Sequence, residues 1–205
     1  MQIKIRTVVL CFLVVCTFWI WLLISDRRQL NEELIRLHVV ANSDSRDDQA
    51  VKLQVRDAVI RYLQDTLSEQ PDVYEAKAYL EKELPNIQKL ANDTLAAAEK
   101  TVTAGVSICK ERFGVRHYES FSLPAGVYES LRVTIGEGDG ENWWCVVFPS
   151  LCYSAAGEEF EEVAAGAGFS EELVASMEGK NPIEIRFFLL DLLGKLENML
   201  FRGGI

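Results

Sequence analysis

The chain has 205 residues, 49% hydrophobic and 25% charged, enough apolar surface to bury a core and too much to stay disordered or form a collagen-like repeat. It carries 21 Lys and Arg against 31 Asp and Glu, a net charge of −10. That balance argues against wrapping nucleic acid, which needs clustered cations. Setting aside residues 1–28 leaves 17 basic and 30 acidic side chains and a net charge of −13.

Thr7 to Ile24 is an eighteen-residue run without a charge, preceded by Lys4 and Arg6 and followed by Asp26, Arg27 and Arg28. About 20 such residues cross hydrocarbon as a helix, so residues 1–28 read as a signal peptide or a signal-anchor transmembrane helix. A cleavage site needs a small-x-small pattern, and Leu23 with Ser25 is the nearest approach; the bulk of Leu23 favours an uncleaved anchor. Trp19 and Trp21 fall where interfacial aromatics concentrate, and two basic residues on each side leave orientation open. Residues 29–205 form the exported soluble domain.

Leu34 to Ala41 is rich in β-branched residues and stops at Asn42-Ser43-Asp44-Ser45, which predicts a strand entering a turn. Ser45 with Asp48 resembles a capping box, and Asp47 and Asp48 fall where the helix dipole favours anions. Val51, Val55, Ala58, Val59, Tyr62 and Thr66 then recur at helical spacing. A second helix is expected over Asp72 to Leu84, and a third from Pro85, which suits a first turn, to Val102.

Beyond Gly105 the texture predicts strands over Val106–Arg112, Val115–Phe121, Tyr128–Ile135 and Trp143–Phe148. The Gly136–Gly140 loop reads as a hairpin connection. It carries Glu137, Asp139 and Glu141 and no lysine, which would repel phosphate. Residues 154–181 are acidic and rich in Ala and Gly, expected as a flexible loop or marginal helix. Ile183, Ile185 and Phe187 alternate with charges as a last strand would, and Phe188–Phe201 follows as a helix packed on the sheet or forming an interaction surface. The fold class is therefore α+β: an N-terminal strand and three helices, then an antiparallel sheet-rich half with a C-terminal helix.

Candidate chemistry is sparse. His38 and His117 lie in no metal-binding spacing, and Ser107-Ile-Cys-Lys110 lacks the companion motifs of serine acylases. Asn42, Asp44, Asp47 and Asp48 could offer oxygens to calcium, but an EF-hand counted from Asp44 would need Gly and Glu where Gln49 and Val55 stand. A capped helix start, or an acidic partner-binding loop, is the plainer meaning. Trp143 and Trp144 point to opposite faces of a strand, so one is a candidate interface anchor. Cys145 and Cys152 bracket Phe148-Pro149-Ser150, and a turn there could pair them in an exported protein; alternatively both are small buried apolar residues. Cys109 reads as a buried thiol.

Several strings resemble the stage II sporulation protein R family of endospore-forming bacteria: Ile35 to Ser45, Asp48-Gln49, Val55-Arg56-Asp57, Cys109-Lys110-Glu111, Leu123 to Gly126 and Asn142 to Pro149 followed by Cys152. The resemblance implies a protein made in the forespore and exported to the space between the two membranes around it, where it stays anchored if the leader is kept. There it would signal a mother-cell membrane aspartic protease to process pro-sigma-E. On this reading the chain is not an enzyme, its partner is that protease, and it needs no cofactor, metal, nucleic acid or small-molecule substrate. Asn42, Asp44, Asp48, Trp143 and Trp144 are the expected contact residues. Two other readings are an exported cell-envelope hydrolase, using Asp44 or Glu111 with His38 or His117, and a calcium-stabilised adhesive module.

Overall fold

The structure is a computed structural model and describes residues 2–118, 120–152, 158–179 and 184–201. Its elements are α1 (Gln2–Glu32), β1 (Ile35–Val40), α2 (Arg46–Ser68), α3 (Val73–Ala97), β2 (Ala104–Phe113), β3 (Arg116–His117), β4 (Ser122–Leu123), β5 (Gly126–Ile135), β6 (Asn142–Phe148), α4 (Glu158–Gly166), α5 (Glu171–Glu178) and α6 (Glu184–Leu200). The α+β class is as expected. The main sheet has the order β2-β5-β1-β6, and β3 and β4 pair separately.

The sheet is mixed rather than antiparallel throughout. β1 lies between β5, to which it is parallel, and β6, to which it is antiparallel. The Gly136–Gly140 segment therefore closes no hairpin. It carries the chain over the C-terminal end of β1, because β1 already occupies the place beside β5 that a hairpin partner would take.

Period-two alternation divides the sheet's two faces. Ile35, Leu37, Val39, Leu131, Val133 and Ile135 face α2 and α3 and form the first core. Leu34, Phe113, Tyr128 and Val146 face the other way, into a second core closed by the end of α1 and by α4, α5 and α6. At one end of this second face lie His38, Glu111, Arg132 and Trp144.

α2 begins as the sequence predicts, with Ser45 Oγ accepting from the Asp48 amide at 3.1 Å. Its buried stripe is Val51, Val55, Val59, Ile60, Leu63 and Leu67, whereas Tyr62 is exposed. The two helices expected on either side of Pro85 are one. Proline removes a hydrogen bond at that turn, but Leu80 before it and Ile87, Ala91 and Leu95 after it share one buried face. Burying that continuous stripe offsets the local cost. The helix stops at Ala97, short of Val102, where Glu99 takes a positive φ of 56°.

The stretch expected as a flexible loop or marginal helix is helical among its described residues, holding α4 and α5, with Phe160, Ala164, Leu173 and Met177 buried; residues 153–157 and 180–183 lie outside the description. Ile185 and Phe187 belong to α6 rather than to a last strand, while Ile183 is outside the described residues. The helical period continues for 17 residues, and it outweighs a short alternation. α6 packs inward through Leu190 and leaves Ile185, Phe188, Leu192, Leu196 and Met199 exposed. Where one strand was expected over Val115–Phe121, β3 and β4 pair antiparallel, Arg116 with Leu123 and His117 with Ser122.

Cys145 and Cys152 are joined in a disulfide across Pro149, with Cα atoms 5.5 Å apart, and Cys145 is also part of the first core. Closing so short a loop restricts the unfolded chain by about 2.5 kcal/mol. The double change Cys145→Ser with Cys152→Ser is expected to lower unfolding stability by about 2 kcal/mol in chemical denaturation, and reductant should then have no further effect on the variant.

Candidate interaction site

The turn after β1 and the glycine-rich crossing form one structure. Asn42 Oδ1 accepts from the Glu137 amide at 3.1 Å, and Asp44 Oδ1 from the Glu141 amide at 2.7 Å. The Gly140 amide donates to the Ala41 carbonyl at 3.0 Å. Lys52, buried in α2, donates to the Glu141 carbonyl at 3.0 Å and to Gln49. Desolvation by burial lowers the Lys52 pKa.

Glycine at 140 is required by space. A Cβ there would lie 2.3 Å from the Ser43 carbonyl oxygen, a backbone atom that cannot step aside without opening the lobe. Gly140→Ala is expected to cost about 2 kcal/mol, the usual scale of overpacking. Hydrogen exchange should show faster exchange of the Glu137 and Glu141 amides, and unchanged protection there would contradict the packing.

Asp48 anchors the lobe from below. Its carboxylate accepts from Lys100 Nζ at 2.7 Å, Ser43 Oγ at 2.6 Å and Asn42 Nδ2 at 2.9 Å. The Lys100 hydrogen bond first, then those from Ser43 and Asn42, hold the carboxyl well below the ordinary range. A depressed folded-state pKa adds stability that is complete above the unfolded value, near 3.8, and fades as pH falls further. Asp48→Asn is therefore expected to lower stability by about 1 kcal/mol between pH 5 and 8, with the gap to the unmodified protein closing below about pH 4.

Asn42, Asp44 and Asp48 each direct oxygen toward a protein donor, and among the described residues no group of three or more His, Cys, Asp or Glu is placed to hold a metal. Trp143 follows directly on the rim, 37% exposed, with the Arg56 guanidinium 4.1 Å above its ring. Asn42, Asp44, Asp48 and Trp143 thus share one end of the molecule.

Trp144 lies on the opposite face, as alternation predicts. It stacks on His38 at 5.6 Å and under Arg116 at 3.5 Å. His38 Nδ1 is 3.1 Å from Glu111 Oε2 and its Nε2 is 2.8 Å from Asn142 Oδ1, while Arg132 donates to Glu111 at 2.9 Å. Burial alone would raise Glu111, but His38 first, then Ser130 and Arg132, bring its pKa below the ordinary value. Beside them is an open depression of about 570 Å3 lined by Ser107, Cys109, Glu111, Arg132 and Thr134. Burial pushes the Cys109 thiol up, away from the thiolate a nucleophile needs. His117 is elsewhere, on β3, bonded to Ser122 at 2.8 Å.

Several of these residues are not visible as partners in the sequence. Nothing in the sequence singles out Lys52 or Lys100, yet both hold the lobe. Arg36, within the first strand, is fully buried. It bonds Tyr118 Oη at 2.5 Å and lies 4.1 Å from the Phe113 ring centre.

This is a small α+β domain carrying an acidic, internally hydrogen-bonded lobe at one sheet end. A family model described as stage II sporulation protein R matches residues 31–158. The Bacillus subtilis (strain 168) stage II sporulation protein R is similar, 31% identical over 183 residues that cover 80% of this chain and 82% of the relative. No solved structure matches. The chain belongs to the stage II sporulation protein R family, and its role is in sporulation.

Proposed function

We propose that the protein is exported from the forespore into the intermembrane space and there triggers a mother-cell membrane aspartic protease to process pro-sigma-E, by protein contact. The observation that carries this reading is the lobe itself. Its polar groups are spent on fixing the backbone of Asn42–Asp48 against Gly136–Glu141, which suits a preformed recognition surface, since a fixed surface loses little entropy on binding. Trp143 beside it supplies the aromatic anchor that interfaces favour. Asp44, Asp47, Glu137 and Glu141 make the surface acidic, so it fits a basic patch on the protease.

A ligand shifts its receptor only by binding one receptor state better than the other. Replacing Trp143 by Ala should therefore weaken processing without unfolding the domain. The test is co-expression of the full chain with the protease and pro-sigma-E in a non-sporulating host. Processing that depends on the chain is expected; its absence, with all three proteins present and folded, would overturn the proposal.

The hydrolase reading has one specific observation in its favour, the meeting of His38 and Glu111 beside an open depression. Both ring nitrogens of His38 are already engaged and Glu111 is held by Arg132, which suits a structural network better than a base awaiting substrate. Full signalling by His38→Gln and His117→Gln would reject catalysis through either histidine.

A further inference from the structure

We infer that the exported protein keeps α1 and signals while tethered to the membrane, presenting its acidic lobe at the end of the sheet opposite the anchor. This rests on the signalling role proposed above and on α1 as the membrane-crossing segment. α1 is one helix from Gln2 to Glu32, so no linker separates the apolar span from the domain. From Ile5 to Ile24 most apolar side chains are exposed, including Phe12, Phe18 and Ile24, as a lipid-facing helix requires.

The last turns are different: Leu23, Asp26, Arg27 and Leu30 are buried. Asp26 takes two hydrogen bonds of 2.8 Å from Arg186 of α6, and Arg27 donates to Glu197 at 2.5 Å. Gln29 reaches the Gly168 carbonyl at 2.7 Å. Gly126 and Gly194 form the seat of Arg27, since a Cβ on either would lie within 3 Å of its Nη2. A cut after Ser25, the nearest approach to a small-x-small site, would remove Leu23 from the second core and expose a helix end inside this network. Removal of the span therefore works against the fold.

The same contacts set the direction of presentation. Arg27 packs against Gly126 and Tyr128 at the start of β5. The lobe follows Ile135 at the end of that strand, nine residues or about 30 Å away at the usual rise of an antiparallel strand. The bilayer thus holds one end of the sheet and the receptor-facing lobe occupies the other.

The test is the intact mass and carbonate extractability of the full chain after export in the co-expression host, measured alongside processing. The expected result is the full-length mass, in the membrane fraction, in cells where processing occurs. A mature N-terminus at or beyond Asp26, with the protein released and processing intact, overturns the tether and leaves the signalling role standing. Full-length retained protein without processing supports the tether and counts against the role. In a second arm, Leu23→Ala with Ser25→Ala creates an Ala-x-Ala site. The released product is expected to melt at a lower temperature than the intact chain, and an equal melting temperature overturns the claim that the end of α1 belongs to the fold.

Discussion

Asp26→Ala is expected to destabilise the domain by about 3 kcal/mol, and Arg186→Met by distinctly less, although both break the same pair. The two side chains are 7% and 12% exposed. Removing one partner of a buried ion pair leaves an uncompensated charge, at a cost of about 3–5 kcal/mol when burial is complete. An arginine left behind cannot shed its charge. An aspartate can, by taking up a proton, so the group left behind in Arg186→Met is the less costly one. Thermal unfolding of the full chain in detergent measures both. At about 2–4 °C per kcal/mol for a domain of this size, Asp26→Ala should melt roughly 10 °C lower.

Leu30→Ala is expected to cost about 3 kcal/mol, within the range for truncating a buried leucine. Leu30 has no exposure and lies in the second core with Phe113, Tyr128 and Phe160. Leu13→Ala, seventeen residues earlier on the same helix and 53% exposed, should leave the melting of the domain unchanged, because that side chain gives up little packing when it is shortened. Equal effects of the two changes would mean that α1 is either wholly part of the domain or wholly outside it.

Much of the candidate site was legible because its signals are local. The Ser45 cap with acidic first-turn residues, the break at Asn42–Asp44 and the opposed tryptophans all follow from chain geometry over two to four residues. Arg36, Lys52 and Lys100 were not legible as site residues, since a charged residue on an alternating or helical pattern reads as solvent-facing until its neighbours are known. Pro85 misled for a related reason. Its local cost is visible in the sequence, whereas the stripe from Leu80 to Leu95 that overrides it gains its value only by facing a sheet.

By itself the sequence determined the apolar N-terminal helix, the α+β class, the first strand and its capped helix, and the residue strings that mark the family. Those depend on periodicity, composition and caps, which act between near neighbours along the chain. Tertiary structure alone decided that β1 inserts between β5 and β6, turning an apparent hairpin loop into a crossing locked onto Asn42 and Asp44. It also decided that the end of α1 is core. Both are pairings between segments far apart in sequence, chosen by which edges and faces remain free once the whole chain has packed.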